Sequence, residues 1–223
     1  MHVEWYGQSA FRLSDGDRTV VIDPFDAEAL RSRTRWDYPA IDTTADVLLV
    51  THEHGDHNAV HVVGGGAGGD RVIVRSTAGT HESPLGPVVA IASEHDEAAG
   101  TQRGPNTLLV FDFGGLRVAH LGDLGQAQLR PEQAAALGTV DLLFVPVGGG
   151  PTIGADQAAD IAATTSARIT VPMHYRTERI DFLDPVDAFA AQARHVVKLD
   201  GASFDTDQAG GDDGPVVVIP AAP

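Results

Sequence analysis

Four side chains that can hold a metal ion fall within six residues, directly after an apolar run. They are His52, His54, Asp56 and His57. The preceding residues 46–50 have the continuous apolar character of a strand buried on both faces. His52 and His54 are two residues apart, so in extended backbone their side chains point the same way, while Gly55 allows a sharp turn before the second pair. This loop therefore predicts a metal site, with enough ligands to serve two neighbouring ions.

Further ligands must come from elsewhere in the chain, and three candidates follow other predicted strands. His95 follows residues 88–92, Asp123 follows 116–120, and His174 follows 169–171. A single histidine is more often an ordinary loop residue than a ligand. The repeated placement after strands favours a shared site, because side chains at neighbouring strand ends converge in space.

The composition restricts the metal. The chain has no cysteine, which excludes disulfides, thiolate catalysis and iron–sulfur clusters. Any ion must be held by His, Asp or Glu side chains or by backbone oxygen, which favours zinc, manganese or iron.

Charge and hydropathy restrict the partners and the location. The net charge is −16 and Lys198 is the only lysine, so a nucleic acid partner is disfavoured and a small-molecule substrate is expected. No apolar run is long enough to cross a bilayer, and the first residues lack the pattern of a signal peptide. We expect a cytoplasmic protein without a membrane partner, and the sequence leaves homo-oligomerisation open.

Hydrophobic periodicity predicts a single α/β domain over residues 1–223. Strands are predicted over 3–5, 10–13, 19–23, 46–50, 71–75, 88–92, 107–111, 116–120, 140–147, 168–171 and 216–219, and helices over 131–137, 155–165 and 185–193. Hairpin turns are expected at 14–17 and 112–115. Residues 26–44 are predicted to be an irregular polar loop, 64–69 a flexible connection and 205–214 a loose polar loop.

Several segments, taken in order, carry a family resemblance. They are Gly7–Phe11, Ile22–Pro24, Val50–His57, Arg103–Asn106, His120–Gly125, Val145–Gly149 and Pro172–Tyr175. Together they resemble the metallo-β-lactamase superfamily, and within it the small branch similar to ascorbate-6-phosphate lactonase and related metal-dependent hydrolases. The resemblance implies an αββα four-layer sandwich with the site at one edge between two sheets. It also favours hydrolysis over redox chemistry, because the oxygen and nitric oxide reductases of the superfamily carry Glu where this chain has His54.

The resemblance implies a role for each candidate. His52, His54 and His95 would hold the first metal, Asp56, His57 and His174 the second, and Asp123 would bridge the two. The assignment of His95 is the most open of these, because the loop around it varies in length among such proteins. His120 could take its place as the third ligand of the first metal. Asp23 is expected to orient a ligand histidine.

The implied activity is that of a binuclear metal-dependent hydrolase. Metal-bound hydroxide would attack a small ester, lactone or phosphoester, with Asp56 as the first candidate for the proton-transfer group and His120 as the second. Arg103, Asn106 and Tyr175 are candidate substrate contacts, with purely structural roles as the alternative. Other possibilities are a non-catalytic metal-binding protein of the same fold and a phosphodiesterase or nuclease, the last disfavoured by the charge.

Overall fold

The computed structural model describes residues 1–66, 69–209 and 214–223. Its strands are β1 His2–Gly7, β2 Ala10–Asp15, β3 Arg18–Ile22, β4 Thr43–Ala45, β5 Val47–Val50, β6 Val63–Gly65, β7 Val72–Arg75, β8 Gly79–Ser83, β9 Gly86–Glu94, β10 Pro105–Phe113, β11 Leu116–His120, β12 Leu142–Pro146, β13 Ile169–Met173, β14 Val196–Lys198, β15 Ser203–Asp205 and β16 Val216–Ile219. Its helices are α1 Ala27–Arg31, α2 Pro131–Leu137, α3 Ala155–Thr164, α4 Asp187–Ala190 and α5 Thr206–Ala209. None of the described helices has the length and apolarity needed to cross a bilayer.

Two large sheets organise the chain. The first has the strand order β15-β1-β2-β3-β5-β7, and the second has the order β14-β16-β13-β12-β11-β10-β9-β8. A small parallel pair, β4 and β6, stands apart. Strands β11, β12 and β13 are parallel, so their carboxyl ends meet at one edge of the second sheet. Strand β9 is antiparallel to β10, which in turn is antiparallel to β11, so β9 also ends at that edge.

The main core lies between the two sheets. Phe11 of the first sheet packs on Phe144 of the second, with ring centroids 4.3 Å apart. In β5, Val47 and Leu49 join this core while Leu48 joins the cluster on the opposite face. The continuous apolar run before the histidine loop is thus explained, because both faces of this strand are buried.

Helices and a long connection cover the outer faces, which gives the four layers. Ala158 and Ile161 of α3 pack on the second sheet. Trp36 and Tyr38 pack with Phe25 against the outer face of the first sheet. The predicted αββα arrangement is therefore confirmed.

The description of residues 26–44 as an irregular polar loop was wrong. The segment contains α1, which Asp26 caps by accepting from the backbone N–H groups of Glu28 and Ala29, and it ends inside β4. Most of its polar residues are exposed, but Trp36 and Tyr38 are buried. A few large apolar side chains therefore fix a segment whose average composition is that of a solvated loop.

Other boundaries also differ from the predictions. Helix α2 begins and ends as predicted, whereas α4 is shorter than 185–193. Residues 64–65 belong to β6, and 67–68 lie outside the described residues. Within 205–214 the structure has the end of β15 and α5, and residues 210–213 lie outside the described part. Strands β4, β6, β8, β14 and β15 were not predicted as strands.

Candidate metal centre

All seven predicted ligands converge at one edge of the two sheets. The loop that follows β5 supplies four of them. His95 and His174 come directly after β9 and β13, and Asp123 lies in the turn that follows β11. The predicted placement of these residues after strands is confirmed. Their roles as ligands stay predictions, because the geometry shows only which atoms are close enough to share an ion.

Two groups of ligand atoms with no member in common lie side by side. His52, His54 and His95 form one, and their candidate ligand atoms lie within 4.8 Å of one another. His52 Nε2 and His54 Nδ1 are 3.1 Å apart. Asp56, His57 and His174 form the other group under the same criterion, with Asp56 Oδ2 3.6 Å from His57 Nε2.

Asp123 lies between the two groups. Its Oδ2 is 3.2 Å from His95 Nε2 and 3.9 Å from His52 Nε2 in the first group. It is 3.3 Å from the Nε2 atoms of both His57 and His174 in the second. One carboxylate oxygen therefore faces four imidazoles drawn from both groups.

Asp23 fixes the orientation of two of these imidazoles. Its Oδ2 accepts from His57 Nδ1 at 2.9 Å and from the Thr51 hydroxyl at 2.7 Å. The Thr51 hydroxyl proton is committed to Asp23, so Thr51 Oγ1 can accept from His52 Nδ1 at 3.1 Å. Asp23 thus holds His57 directly and His52 through Thr51, and the Nε2 atoms of both rings face the site.

His95 has a comparable partner in the backbone. Its Nδ1 lies 3.0 Å from the Pro151 carbonyl oxygen, which can only accept, so Nδ1 carries a proton and Nε2 is the bare nitrogen of the neutral ring. Bare Nε2 atoms of His57 and His95 at 3.3 and 3.2 Å from a carboxylate oxygen would repel it. A cation or a shared proton between them removes that repulsion, so the donor set fits divalent metal ions.

The electrostatics of the ring nitrogens agree with this geometry. Burial and the neighbouring His57 lower the pKa of His52 to about 3, so its ring is neutral at pH 7. Burial also works against protonation of His57, but Asp123, Asp56 and Asp23 outweigh it and raise its pKa. Without a metal, these carboxylates draw a proton onto the ring that faces them most closely.

A carboxylate inside the histidine loop fastens that loop to the first sheet. Glu53 accepts from the Arg75 guanidinium and from Ser76 Oγ, at the end of β7. The Arg75 hydrogen bonds outweigh the opposing effect of burial and lower the pKa of Glu53 to about 2. This role was not predicted from the sequence, although an ionisable residue between two predicted ligands is a usable signal.

His120 is fully buried and both its ring nitrogens are engaged by backbone. Nε2 donates to the Ser9 carbonyl oxygen at 2.9 Å, and Nδ1 accepts from the Gly122 N–H at 3.1 Å. Burial lowers the pKa of His120, so the ring is neutral. The geometry gives it no free atom for a metal or a proton, and its catalytic role stays a prediction without structural support.

Asn106 is buried beside Asp123 with its amide fully used. It donates to Ser93 Oγ and to the Leu121 carbonyl oxygen, each at 2.9 Å, and accepts from the Asp123 N–H at 3.1 Å. These contacts hold the turn that presents Asp123. The alternative of a structural role, rather than a substrate contact, therefore has the contacts behind it.

The other two predicted substrate contacts, Tyr175 and Arg103, lie in different surroundings. Tyr175 is buried and packs on Trp5, with ring centroids 5.4 Å apart, and burial raises its pKa. Arg103 is exposed and lines a cavity of about 510 Å³ that also contains Asp96 and Pro151, the neighbours of His95 in sequence and in space. Of the three, only Arg103 has a side chain that solvent reaches freely.

Ser9 is a site residue that sequence analysis did not single out. Its hydroxyl donates to Asp123 Oδ1 at 3.4 Å, and its carbonyl accepts from His120. It lies in the matched segment Gly7–Phe11, and a small polar residue inside such a segment could have been proposed on that ground alone.

The exposed side of the cluster is formed by His54 and Asp56. His54 is exposed and Asp56 half-buried, whereas His52, His57, His95, Asp123 and His174 are buried. A small molecule would therefore approach the cluster over the tip of the histidine loop.

Comparison with known proteins agrees with the fold. A sequence model of the Beta-lactamase superfamily domain matches residues 2–174. A UPF0173 metal-dependent hydrolase of Hyperthermus butylicus is 30% identical over 91% of this chain and 98% of its own length. A UPF0173 protein of Pyrococcus abyssi is 32% identical over 79% of this chain and 84% of its own.

A solved structure extends the likeness to three dimensions. A proposed Zn-dependent hydrolase of the metallo-β-lactamase superfamily from Thermotoga maritima has a TM-score of 0.78 and 30% identity, covering 98% of this chain and 97% of that one. The structure of Igni18, a metallo hydrolase from Ignicoccus hospitalis, has a TM-score of 0.60 at 19% identity and shares the fold. With a family match over most of its length, the chain belongs to the β-lactamase superfamily and has the metallo-β-lactamase fold.

Proposed function

We propose that this protein is a metal-dependent hydrolase that holds two divalent ions and acts on a small ester, lactone or phosphoester. The observation that carries the proposal is the single Asp123 oxygen that faces histidines of two separate ligand groups. A carboxylate between two clusters of imidazoles is suited to bridging a pair of metals. The names of the relatives as metal-dependent hydrolases support the same reaction class.

His52, His54 and His95 would hold one ion, Asp56, His57 and His174 the other, and Asp123 both. The donors are imidazole nitrogens and carboxylate oxygens, which zinc accepts, as do manganese and iron. Bound there, the ions would supply hydroxide at neutral pH and polarise the substrate carbonyl or phosphoryl oxygen.

The chain's own residues orient the reactants and move the proton. Asp56 is the ionised group at the open rim, because His57 outweighs the opposing effect of burial and lowers the pKa of Asp56 to about 2. Its free carboxylate oxygen can accept a hydrogen bond from the attacking water and pass the proton to the leaving group. Asp23, Thr51 and the Pro151 carbonyl keep the ligand rings in one tautomer, so no reorientation is needed during turnover.

The cavity beside His95 is the proposed binding region for the rest of the substrate. Arg103 is the cationic side chain among its described lining residues, which also include Glu97, Gln102 and Gln157. The carboxylates of Asp96 and Glu97 in the same lining offset Arg103, so a strongly polar substituent without a net negative charge would suit it. The narrower resemblance to ascorbate-6-phosphate lactonase stays a prediction.

Chelator-sensitive hydrolysis tests the proposal. Zinc-loaded protein should hydrolyse at least one of p-nitrophenyl acetate, a γ-lactone and bis(p-nitrophenyl) phosphate, lose this activity with a chelator and regain it with zinc. His54→Ala should be folded and inactive. His81→Ala should behave like the unmodified protein, because His81 lies on the edge strand β8 and bonds only the Thr77 carbonyl.

Two results would count against the proposal. Hydrolysis that is indifferent to the chelator would show that metals do not carry the reaction. Stoichiometric zinc uptake without turnover of any of the three substrates would favour the non-catalytic metal-binding alternative.

A further inference from the structure

His174 is the one buried histidine of the candidate metal centre whose second ring nitrogen lacks a partner. The corresponding nitrogens of His52, His57 and His95 bond Thr51, Asp23 and the Pro151 carbonyl. His174 Nδ1 is buried with no hydrogen bond to any described residue. Its Nε2 lies 3.3 Å from Asp123 Oδ2, on the side where the proposed metal would bind. With Nε2 bound to a metal, the ring proton lies on Nδ1 and needs an acceptor.

Gln8 also has buried polar atoms that lack hydrogen-bond partners. Its side chain is fully buried, and neither its amide nitrogen nor its amide oxygen has a hydrogen-bond partner among the described residues. Buried amides are almost always hydrogen-bonded, to protein or to an ordered water. In the described chain only two other side-chain atoms outside the candidate metal centre share this condition, Arg12 Nε and Trp36 Nε1.

The two residues with unpartnered polar atoms, Gln8 and His174, are in contact through their backbones. The His174 N–H donates to the Gln8 carbonyl oxygen at 3.3 Å, and the Trp5 indole donates to the same oxygen at 2.9 Å. Gln8 and His174 both have left-handed backbone, with φ of 50° and 51°. Such conformations are costly for non-glycine residues and persist where the surroundings fix them, which is common at functional sites.

The backbone around Gln8 is held firmly in this position. Gly7 has a φ of 112°, and a Cβ there would collide with the ring of Tyr38. On the other side of Gln8, Ser9 bonds Asp123 and His120. Gln8 is therefore fixed between Tyr38 on one side and the candidate metal centre on the other, and its side chain has little freedom to find a partner elsewhere.

We propose that Gln8 is a positioning residue for His174 and that one buried water joins them, accepting from His174 Nδ1–H and donating to the Gln8 amide oxygen. The Gln8 amide nitrogen gives the water a third polar neighbour, which is the usual number for a buried water. This arrangement fixes the ring and tautomer of His174, as Asp23 does for His57. The inference rests on the proposed function, because it concerns a histidine assigned there to the second metal.

Zinc titration against a chromophoric chelator tests the proposal, with His174→Ala identifying which binding step depends on that histidine. Gln8→Leu removes both polar atoms at similar length and should weaken that step about 10–100-fold while leaving the other unchanged. Gln8→Glu retains an acceptor and should bind close to wild type. Trp36→Phe removes a comparable buried, unpartnered polar atom and should change neither step.

A second readout follows the ring proton directly. In zinc-loaded protein, a solvent-protected imidazole N–H signal that disappears in His174→Ala is expected in the NMR spectrum. It should be absent from Gln8→Leu and present in Gln8→Glu and Trp36→Phe. A purely structural role for Gln8 would not move this signal selectively.

The outcomes separate the inference from the function on which it rests. Unchanged zinc affinity in both binding steps together with a retained imidazole N–H signal in Gln8→Leu would overturn the inference. Equal weakening of both binding steps, with a lower unfolding temperature of the metal-free protein, would also overturn it. If Gln8→Leu fails to fold, loss of the step or of the signal in Gln8→Glu overturns it. Wild-type protein that takes up no zinc would overturn the proposed function and this inference together.

Discussion

At the scale of single residues, the candidate metal centre depends on side chains that would touch no metal themselves. Asp23 uses one oxygen to hold His57 and, through Thr51, His52. Its other oxygen accepts from the Thr51 backbone N–H at 2.8 Å. One buried carboxylate therefore connects both proposed metal positions, whereas the Thr51 hydroxyl serves only the first.

This connection gives a prediction with an internal control. Asp23→Asn should weaken both zinc-binding steps, each about 10–100-fold. His57 loses the carboxylate that accepts its Nδ1–H, and the Thr51 hydroxyl, which accepts from His52, loses the carboxylate that orients it. Thr51→Val should weaken only the step that depends on His52. Titration with zinc measures both, and a Thr51→Val protein impaired in the step that depends on His57 would contradict the connection.

Asn106 allows a structural role to be separated from substrate binding. Asn106→Ala leaves the Asp123 N–H, the Leu121 carbonyl and the Ser93 hydroxyl without their partner, so it should lower the free energy of unfolding by about 1–3 kcal/mol. Arg103→Ala should leave stability within about 0.5 kcal/mol and act on KM instead. Denaturant unfolding of both variants decides, and an Asn106→Ala protein of unchanged stability with raised KM would restore the substrate-contact assignment.

At the scale of elements, strand ends bring the ligands together and short capped segments hold the surrounding loops. Helix α1 shows the second point. Asp26 accepts from Glu28 N and Ala29 N at 3.1 Å and also pairs with His61, which ties α1 to the segment after the histidine loop. Its hydrogen bond from Ala29, followed by that from His61, lowers the pKa of Asp26 below its ordinary value.

The cap predicts a pH-dependent loss of stability. Asp26→Ala should cost about 1 kcal/mol at pH 7, while Asp26→Asn should cost less because it keeps the capping oxygen. The folded-state pKa of Asp26 is depressed, so its contribution is present above the unfolded-state pKa and fades as pH falls through the folded-state value. Denaturant unfolding of wild type and Asp26→Ala from pH 7 to pH 2 should therefore converge, and a constant difference would contradict the assignment.

The elements that sequence predicts well are those with a strong periodic or buried pattern. Helix α2 has a proline in its first turn and a glycine at its end, and its bounds were predicted without error. Strand β8 was missed because its residues are polar and largely exposed, as expected for a sheet edge. The three-residue strands β14 and β15 are too short for periodicity to indicate, since pairing with distant strands defines them.

The candidate site was predictable to a similar degree and for a similar reason. The spacing of its histidines identifies the histidine loop as a metal site, and its placement after a buried strand follows from the local apolar pattern. His95 could be proposed from its placement after a predicted strand, but assigning it to the first metal needed the family resemblance. Gln8 and Ser9 could not be assigned to their contacts, which join residues more than a hundred positions apart and exist only after the sheets pack.

At the scale of the whole molecule, the proposed metals would join the two sheets. The histidine loop extends from the first sheet, while His95, Asp123 and His174 extend from the second. A ligand that binds only the folded state stabilises it in proportion to the logarithm of its free concentration. Metal binding at this edge should therefore raise the free energy of unfolding of the two sheets as one unit.

Thermal unfolding measures this stabilisation by metal. Zinc at one hundred times the dissociation constant of a site should add about 2.7 kcal/mol to the free energy of unfolding for each site filled and raise the unfolding temperature, and a chelator should reverse the shift. Asp123→Asn should show a much smaller zinc-dependent rise, since it weakens the carboxylate shared by both groups. An unfolding temperature that does not respond to zinc would argue against binding between the sheets.

The central claim is a two-metal centre bridged by Asp123, and counting the metals tests it most directly. Protein stripped with a chelator, reconstituted with zinc and freed of excess should contain two equivalents of zinc per chain by elemental analysis, falling to one in His54→Ala and to one in His174→Ala. One equivalent in the wild type, lost completely in both variants, would contradict the two-metal centre and indicate a single shared ion.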